Sequence, residues 1–161
     1  MSTNTSHFTE ATITADPDLP KVTITREFHA SADRVYAAHV DPDIFARWIG
    51  PNKYQVTIDR WTAQTGGSYR YATGEHWFFG SFHQVLPEQH EIIQTWSWEG
   101  IPDAVSLEFL TVTELPAGRS LLTTVSLVDS MQAQAMMLAS GMETGVNEGY
   151  AKLDSLLAER R

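Results

Sequence analysis

The 161-residue sequence has no cysteine, no apolar run long enough to cross a bilayer and almost no clustered positive charge. Each absence removes a class of function. Without cysteine there is no disulfide framework, no thiolate metal site and no thiol nucleophile. A spanning helix needs about 20 predominantly apolar residues, and no stretch comes near that. The chain carries 11 Lys and Arg against 20 Asp and Glu, a formal charge of −9, and its basic residues form no run beyond Arg160-Arg161. Phosphate-bearing partners are recognised through clustered Lys and Arg, so neither a nucleic acid nor a membrane partner is expected. The opening "MSTNTSHFTEATITADPDLP" lacks the basic start and apolar core of a secretory signal. A cytoplasmic location is expected, with residues 1–20 as a flexible polar tail.

What is present reads as one globular domain over residues 21–161. Hydrophobic residues make up 42% and charged residues 19%, and a chain of this size buries a core without disulfide or metal staples. "KVTITREFHA" alternates Val22, Ile24, Arg26 and Phe28 against polar residues, the period of a half-buried strand. Ser31 then caps a helix with Asp33 in its first turn, bringing Val35, Ala38 and His39 to one face. Asp41 as cap, Pro42 at the first helical position and Gly50-Pro51 beyond the end bracket a second short helix.

From 54 to 128 the period is two almost throughout. Six strands are predicted, at about 54–62, 67–73, 76–86, 91–99, 104–114 and 119–128, separated by Gly- and Pro-bearing turns. The first of these turns, "TGGSYRY", has the form of a hairpin. One long helix over roughly 130–159 closes the chain, with Asp129 and Gln132 as a capping box. Its apolar face gathers Met131, Ala135, Leu138, Met142, Val146, Leu153, Leu156 and Leu157. Gly149 sits at the centre of that face and Gly145 near its edge, which means either close packing against the sheet or space left beneath a roof.

The expected fold class is therefore α+β: a seven-stranded curved antiparallel sheet around a long C-terminal helix, with two short helices after strand 1. Such a sheet does not close fully on one straight helix, so a cavity between them is natural. Ile92, Trp96 and Trp98 share one face of their strand, and Val105, Leu107 and Phe109 one face of the next; both sets are taken as inward. The strands at 76–86 and 119–128 are rich on both faces and give no facing. Asp59, Arg60, Arg70 and Glu108 are expected to form solvated ion pairs on the sheet.

"FHASADRVYAAHVDPDIFARWIGP" resembles the opening signature of the START-like, helix-grip (SRPBCC) superfamily, in the branch homologous to activators of the heat-shock-protein-90 ATPase (AHSA-type). "TGGSYRY", "GSFHQVLPEQHEIIQTWSW" and "GVNEGYAKLDSLLAE" follow in the family's order, so the similarity spans about 25 to 159. Two departures stand out. Trp48-Ile49 replaces a tryptophan pair before the glycine-proline, and Tyr150 stands where the final helix often carries tryptophan. The resemblance implies a helix-grip fold whose cavity, across the superfamily, holds lipids, sterols, polyketides or hormones and in some members performs cyclase chemistry. The branch name also ties it to chaperones and the stress response, although this chain is too short to include the activator's further domain.

No zinc-helix, serine-elbow or phosphate-loop motif is present. His76 and His83 point to opposite strand faces, so no metal and no cofactor are expected. The expected function is binding of a small, largely apolar or aromatic ligand. Candidate ligand-binding residues are Trp48, Tyr69, Tyr71, His76, Phe78, Phe82, Trp96, Trp98, Phe109, Met142, Gly145 and Gly149. The alternatives are a polyketide-cyclase-like enzyme using His76 and the tyrosines, or a chaperone or protein-interaction modulator. A homodimer across a sheet edge or the convex sheet face is compatible with the sequence.

Overall fold

The computed structural model describes residues 10–159. Strands β1 (Thr12–Ala15) and β2 (Lys21–Phe28) lead to helices α1 (Ala32–Val40) and α2 (Pro42–Trp48). There follow β3 (Val56–Trp61), β4 (Ser68–Thr73), β5 (His76–Leu86), β6 (Glu91–Trp98), β7 (Ser106–Leu115) and β8 (Arg119–Leu127), then α3 (Met131–Ala139) and α4 (Met142–Glu159). The strands form one open sheet in the order β1-β2-β8-β7-β6-β5-β4-β3, and every neighbouring pair is antiparallel.

Local chemistry accounts for the element boundaries. The Ser31 side chain accepts from the Arg34 amide at the start of α1, and Asp41 accepts from the Asp43 amide at the start of α2. In the β3–β4 hairpin the two glycines do different work. Gly66 adopts φ +88°, and a Cβ at Gly67 would run into the Thr62 carbonyl.

The structure corrects the sequence reading in three places. The sheet has eight strands, not seven, because Thr12–Ala15 pairs with β2 along the register Thr12↔Thr25 to Ala15↔Val22. The segment reads as a polar tail, yet Thr12, Ile13 and Thr14 are β-branched and suit a strand. Asp16 turns the chain back by accepting from the Asp18 and Leu19 amides, and the Ala11 amide is tied to Asn147 of α4. The remainder of the expected tail, residues 1–9, lies outside the described residues.

Second, the long C-terminal helix is two helices. Gly141 at φ +85° interrupts it, and α3 is capped by Ser130, which accepts from the Ala133 amide, not by Asp129 with Gln132.

Third, β7 faces the other way. Ser106 and Val112 are its buried residues, and Leu107 is 37% exposed. Phe109 lies on the outer face, aligned with Ile93 and Val125 of the neighbouring strands. An apolar row runs across the outside of the sheet there, and it inverts the pattern that periodicity alone would assign.

The densest core lies under α4. Phe28, Val35, Leu122 and Leu153 are at most 1% exposed. Arg26 forms a bidentate pair with Asp154 at 2.7 Å on both bonds, and its guanidinium lies 4.8 Å from the Phe28 ring centroid.

Candidate functional site

Between the inner face of the sheet and α3–α4 lies a cleft of about 1190 Å³. Its wall is aromatic because β4, β5 and β6 turn alternate large rings to the same side. Tyr71 and Phe78 lie 5.4 Å apart, and Phe78 stacks on Trp96 at 5.0 Å. Trp98 continues the row to the mouth, where it is 38% exposed. His76 is exposed at the same mouth, 5.4 Å from the Tyr54 ring.

Helices α1 and α2 close one end. The last carbonyls of a helix lack partners within it, and here two indoles supply them. Trp48 Nε1 donates to the Ala38 carbonyl at 2.9 Å, and Trp61 Nε1 to Val40 at 2.8 Å. His39 Nδ1 lies 2.8 Å from the Val35 carbonyl, which can only accept, so that nitrogen carries the proton. Burial pushes the His39 imidazole down to about 4 against the opposing pull of the Val35 bond. His39 is thus a neutral ring in the cleft wall near pH 7.

The floor is polar, and sequence reasoning missed it. Gln94, Glu108 and Ser126 stand side by side on β6, β7 and β8, paired directly across the sheet. Gln94 Nε2 donates to Glu108 Oε1 at 3.1 Å, and Ser126 Oγ donates to Oε2 at 3.4 Å. Burial pushes the Glu108 carboxyl up to about 7, outweighing the lowering by those two bonds. Ser106, two residues away on the same face, is 4% exposed, and its Oγ has no protein partner.

Glu108 therefore does not pair with Arg70 on the sheet surface. Arg70 binds Glu99 and Asp59 instead and lies over the Trp77 ring at 3.9 Å. One signal in the sequence could have found the floor. Gln94 shares the parity of Trp96, and pairing from Gln94 leads to Glu108.

Of the residues singled out from sequence, Trp48, Tyr69, Tyr71, His76, Phe78, Trp96, Trp98, Met142, Gly145 and Gly149 line the cleft. Phe82 and Phe109 do not. Phe82 is 1% exposed and packs into the core against Tyr69 and Trp61, while Phe109 is on the opposite face for the reason given above. Tyr69 donates its hydroxyl to the Thr95 carbonyl at 2.6 Å, whereas the Tyr71 hydroxyl accepts from Trp96 Nε1 at 3.4 Å. Burial raises both phenols well above their usual range. A Cβ on Gly149 would sit 3.0 Å from the Trp48 carbonyl, so close approach of α2 and α4 accounts for that glycine. At Gly145 a Cβ would meet only Pro51, at an ordinary 3.5 Å. Among the described residues no three His, Asp or Glu side chains converge to hold a metal ion, and no helix is long and apolar enough to cross a membrane.

An open antiparallel sheet gripping a long C-terminal helix, with two short helices behind its second strand, is the helix-grip architecture of the α+β class. Residues 29–158 match the family model described as activator of Hsp90 ATPase homolog 1-like protein, and the chain belongs to that family. No curated protein sequence matches it. A crystal structure of a Rhodobacter sphaeroides protein superposes with a TM-score of 0.83 at 20% identity, over 94% of this chain and 100% of the other. Protein Ms6760 from Mycobacterium smegmatis gives 0.80 at 24% identity, over 94% and 99%. DynU16, a protein of the dynemicin biosynthetic locus, gives 0.65 at 22% identity, over 89% of this chain and 48% of its own.

Proposed function

We propose that the protein binds a small, largely apolar, ring-bearing molecule in the cleft between the sheet and the C-terminal helices. The observation that carries this reading is the row Tyr71, Phe78, Trp96 and Trp98 along one wall of a cleft of about 1190 Å³. Drug-sized ligands occupy pockets of roughly 300–1,000 Å³, lined by apolar and aromatic groups with a few fixed polar atoms, and the aromatic row over a polar floor has that composition. The test is thermal melting with a neutral three-ring probe, N-phenyl-1-naphthylamine, together with native mass spectrometry of the purified protein. At a hundredfold excess over Kd the probe adds about 2.7 kcal/mol, a rise of roughly 5–10 °C for a domain of this size. Trp96→Ala should remove most of that rise. An unchanged melting temperature in the wild type counts against the reading.

A second reading, a protein partner seated over the mouth, is favoured by the exposed Ile101, Val105 and Met136 around it. It fits the Hsp90 activator in the family's name. Retention of a protein, and not a small molecule, in the native mass spectrum would select it.

A further inference from the structure

A wholly apolar ligand would leave the cleft floor unexplained. Glu108 sits in the middle of three adjacent strands, each carboxyl oxygen already fixed by one neutral donor, Gln94 or Ser126. A glutamine in its place could keep both contacts, its amide oxygen accepting from Gln94 Nε2 and its amide nitrogen donating to Ser126 Oγ, so what the carboxyl adds is charge. That charge has no cationic partner among the described ion pairs. Arg26, a buried cation of the core, is held bidentate by Asp154. Lys53 is exposed at the mouth and lies against the Tyr54 ring. Buried charges are ordinarily paired, since a lone one is strongly disfavoured. The neighbouring Ser106 hydroxyl, 4% exposed and without a protein partner, is a second polar group on the same floor. Phe78 and Trp96 line the same cleft, and aromatic rings attract cations through their quadrupoles.

Resting on the cleft as a binding site, we propose that its occupant is an organic amine: a ring-bearing apolar body whose protonated nitrogen ion-pairs with the Glu108 carboxylate and donates to Ser106 Oγ. The net charge of −9 draws such a cation toward the molecule, and the floor gives it a fixed seat. The raised Glu108 carboxyl agrees with this, because a site left without its cation holds the proton instead.

Three probes sharing one ring system separate charge from shape: 2-(naphthalen-2-yl)ethylamine, 2-(naphthalen-2-yl)ethanol and naphthalene-2-acetate, titrated calorimetrically at pH 7.5. The amine should bind at least tenfold more tightly than the alcohol, and the acetate most weakly. In Glu108→Gln the amine and the alcohol should bind within about twofold of each other, and far-ultraviolet circular dichroism with a cooperative thermal melt reports that the variant is folded. A second measurement needs no variant. At pH 6.5, titration of the wild type in two buffers of different ionisation enthalpy should show proton release with the amine and none with the alcohol. Among the titratable groups facing Glu108, Tyr69 and Tyr71 of β4 and Tyr150 of α4 stay protonated there, and His39 of α1 stays neutral. His76 and Asp129 lie at the mouth. Equal binding of amine and alcohol, no proton release, or a preference that survives in Glu108→Gln overturns the amine assignment while leaving the cleft reading in place. If none of the three binds, both fall together.

Discussion

The two ends of the space beneath the C-terminal helices are built on opposite principles. Under the last turns of α4 the space is filled: Tyr150 packs on Phe28, Leu153 and Leu157 join the same core, the Arg26–Asp154 pair is nearly dry, and Arg34 reaches the Leu157 carbonyl at 2.8 Å. Under α3 the space is open. That helix leaves Met131, Met136 and Leu138 at 40%, 57% and 39% exposure, and one buried side chain anchors it. Gln134 Nε2 lies 2.9–3.0 Å from the carbonyls of Asp16, Leu19 and Lys21. The two helices differ in composition, since α3 carries no charged residue and α4 carries Glu143, Glu148, Lys152, Asp154 and Glu159. Their partners differ too: the last turns of α4 meet side chains, and α3 with the first turns of α4 covers the cleft.

The largest effect should come from breaking the filled end. Asp154→Ala removes the partner of a guanidinium that is 2% exposed, and loss of one member of a buried pair typically costs about 3–5 kcal/mol. Urea unfolding should show that loss; a change under about 1 kcal/mol would mean that the α4 end is held by packing alone.

A smaller effect, opposite in sign, is expected at the open end. The ordinary carboxyl value of 4.5 is raised to about 7 for Glu108. Between those values the folded protein keeps a proton that the unfolded chain has lost, so this group lowers stability as pH rises through that window, and fully so above it. Glu108→Gln removes the penalty. It should stabilise the protein at pH 8 by on the order of 1–3 kcal/mol, and the gain should vanish at pH 4. His39 works the other way. Its ordinary value of 6.5 is lowered to about 4, so stability falls as pH drops from 6.5 towards 4. Both proteins share that loss, and the difference between their thermal melts across pH isolates Glu108. A gain that does not vary with pH would contradict this account.

The smallest effect should come from α3. Met136→Ala removes a side chain that is mostly in water and should change stability by less than about 0.5 kcal/mol. A cost of 2 kcal/mol or more in urea unfolding would show that α3 is packed as firmly as α4.

Much of the architecture was legible from local rules. The Ser31 and Asp41 caps, the turns at Gly66-Gly67 and Gly74-Glu75 and the strand succession depend on near neighbours in sequence, and local chemistry fixes them. The errors fall where distant partners decide. β1 exists because β2 offers a free edge, and the break at Gly141 lies among the residues that line the cleft. In β7, apolar residues marked the face as inward, but Phe109 joins Ile93 and Val125 on the outer surface. Ser106 and Glu108 then occupy the floor. Alternation finds the core of a strand whose inside is apolar; it reads backwards where the inside is a polar site. The inverted strand was thus the place at which a pattern-based reading would fail, and it carries the group that distinguishes this cleft from plain filling.

The indoles that cap α1 have an optical consequence. The chain holds five tryptophans, at 48, 61, 77, 96 and 98, and they sample the molecule from its driest point to its edge. Trp48 is 3% exposed with its N–H bound to a carbonyl, whereas Trp98 is 38% exposed at the mouth. Their emission should differ in wavelength and in access to iodide, with Trp98 quenched first and Trp48 last. The protein therefore carries its own gauge, one lamp set in the closed end and another at the entrance, by which events in the two halves can be followed separately without a label.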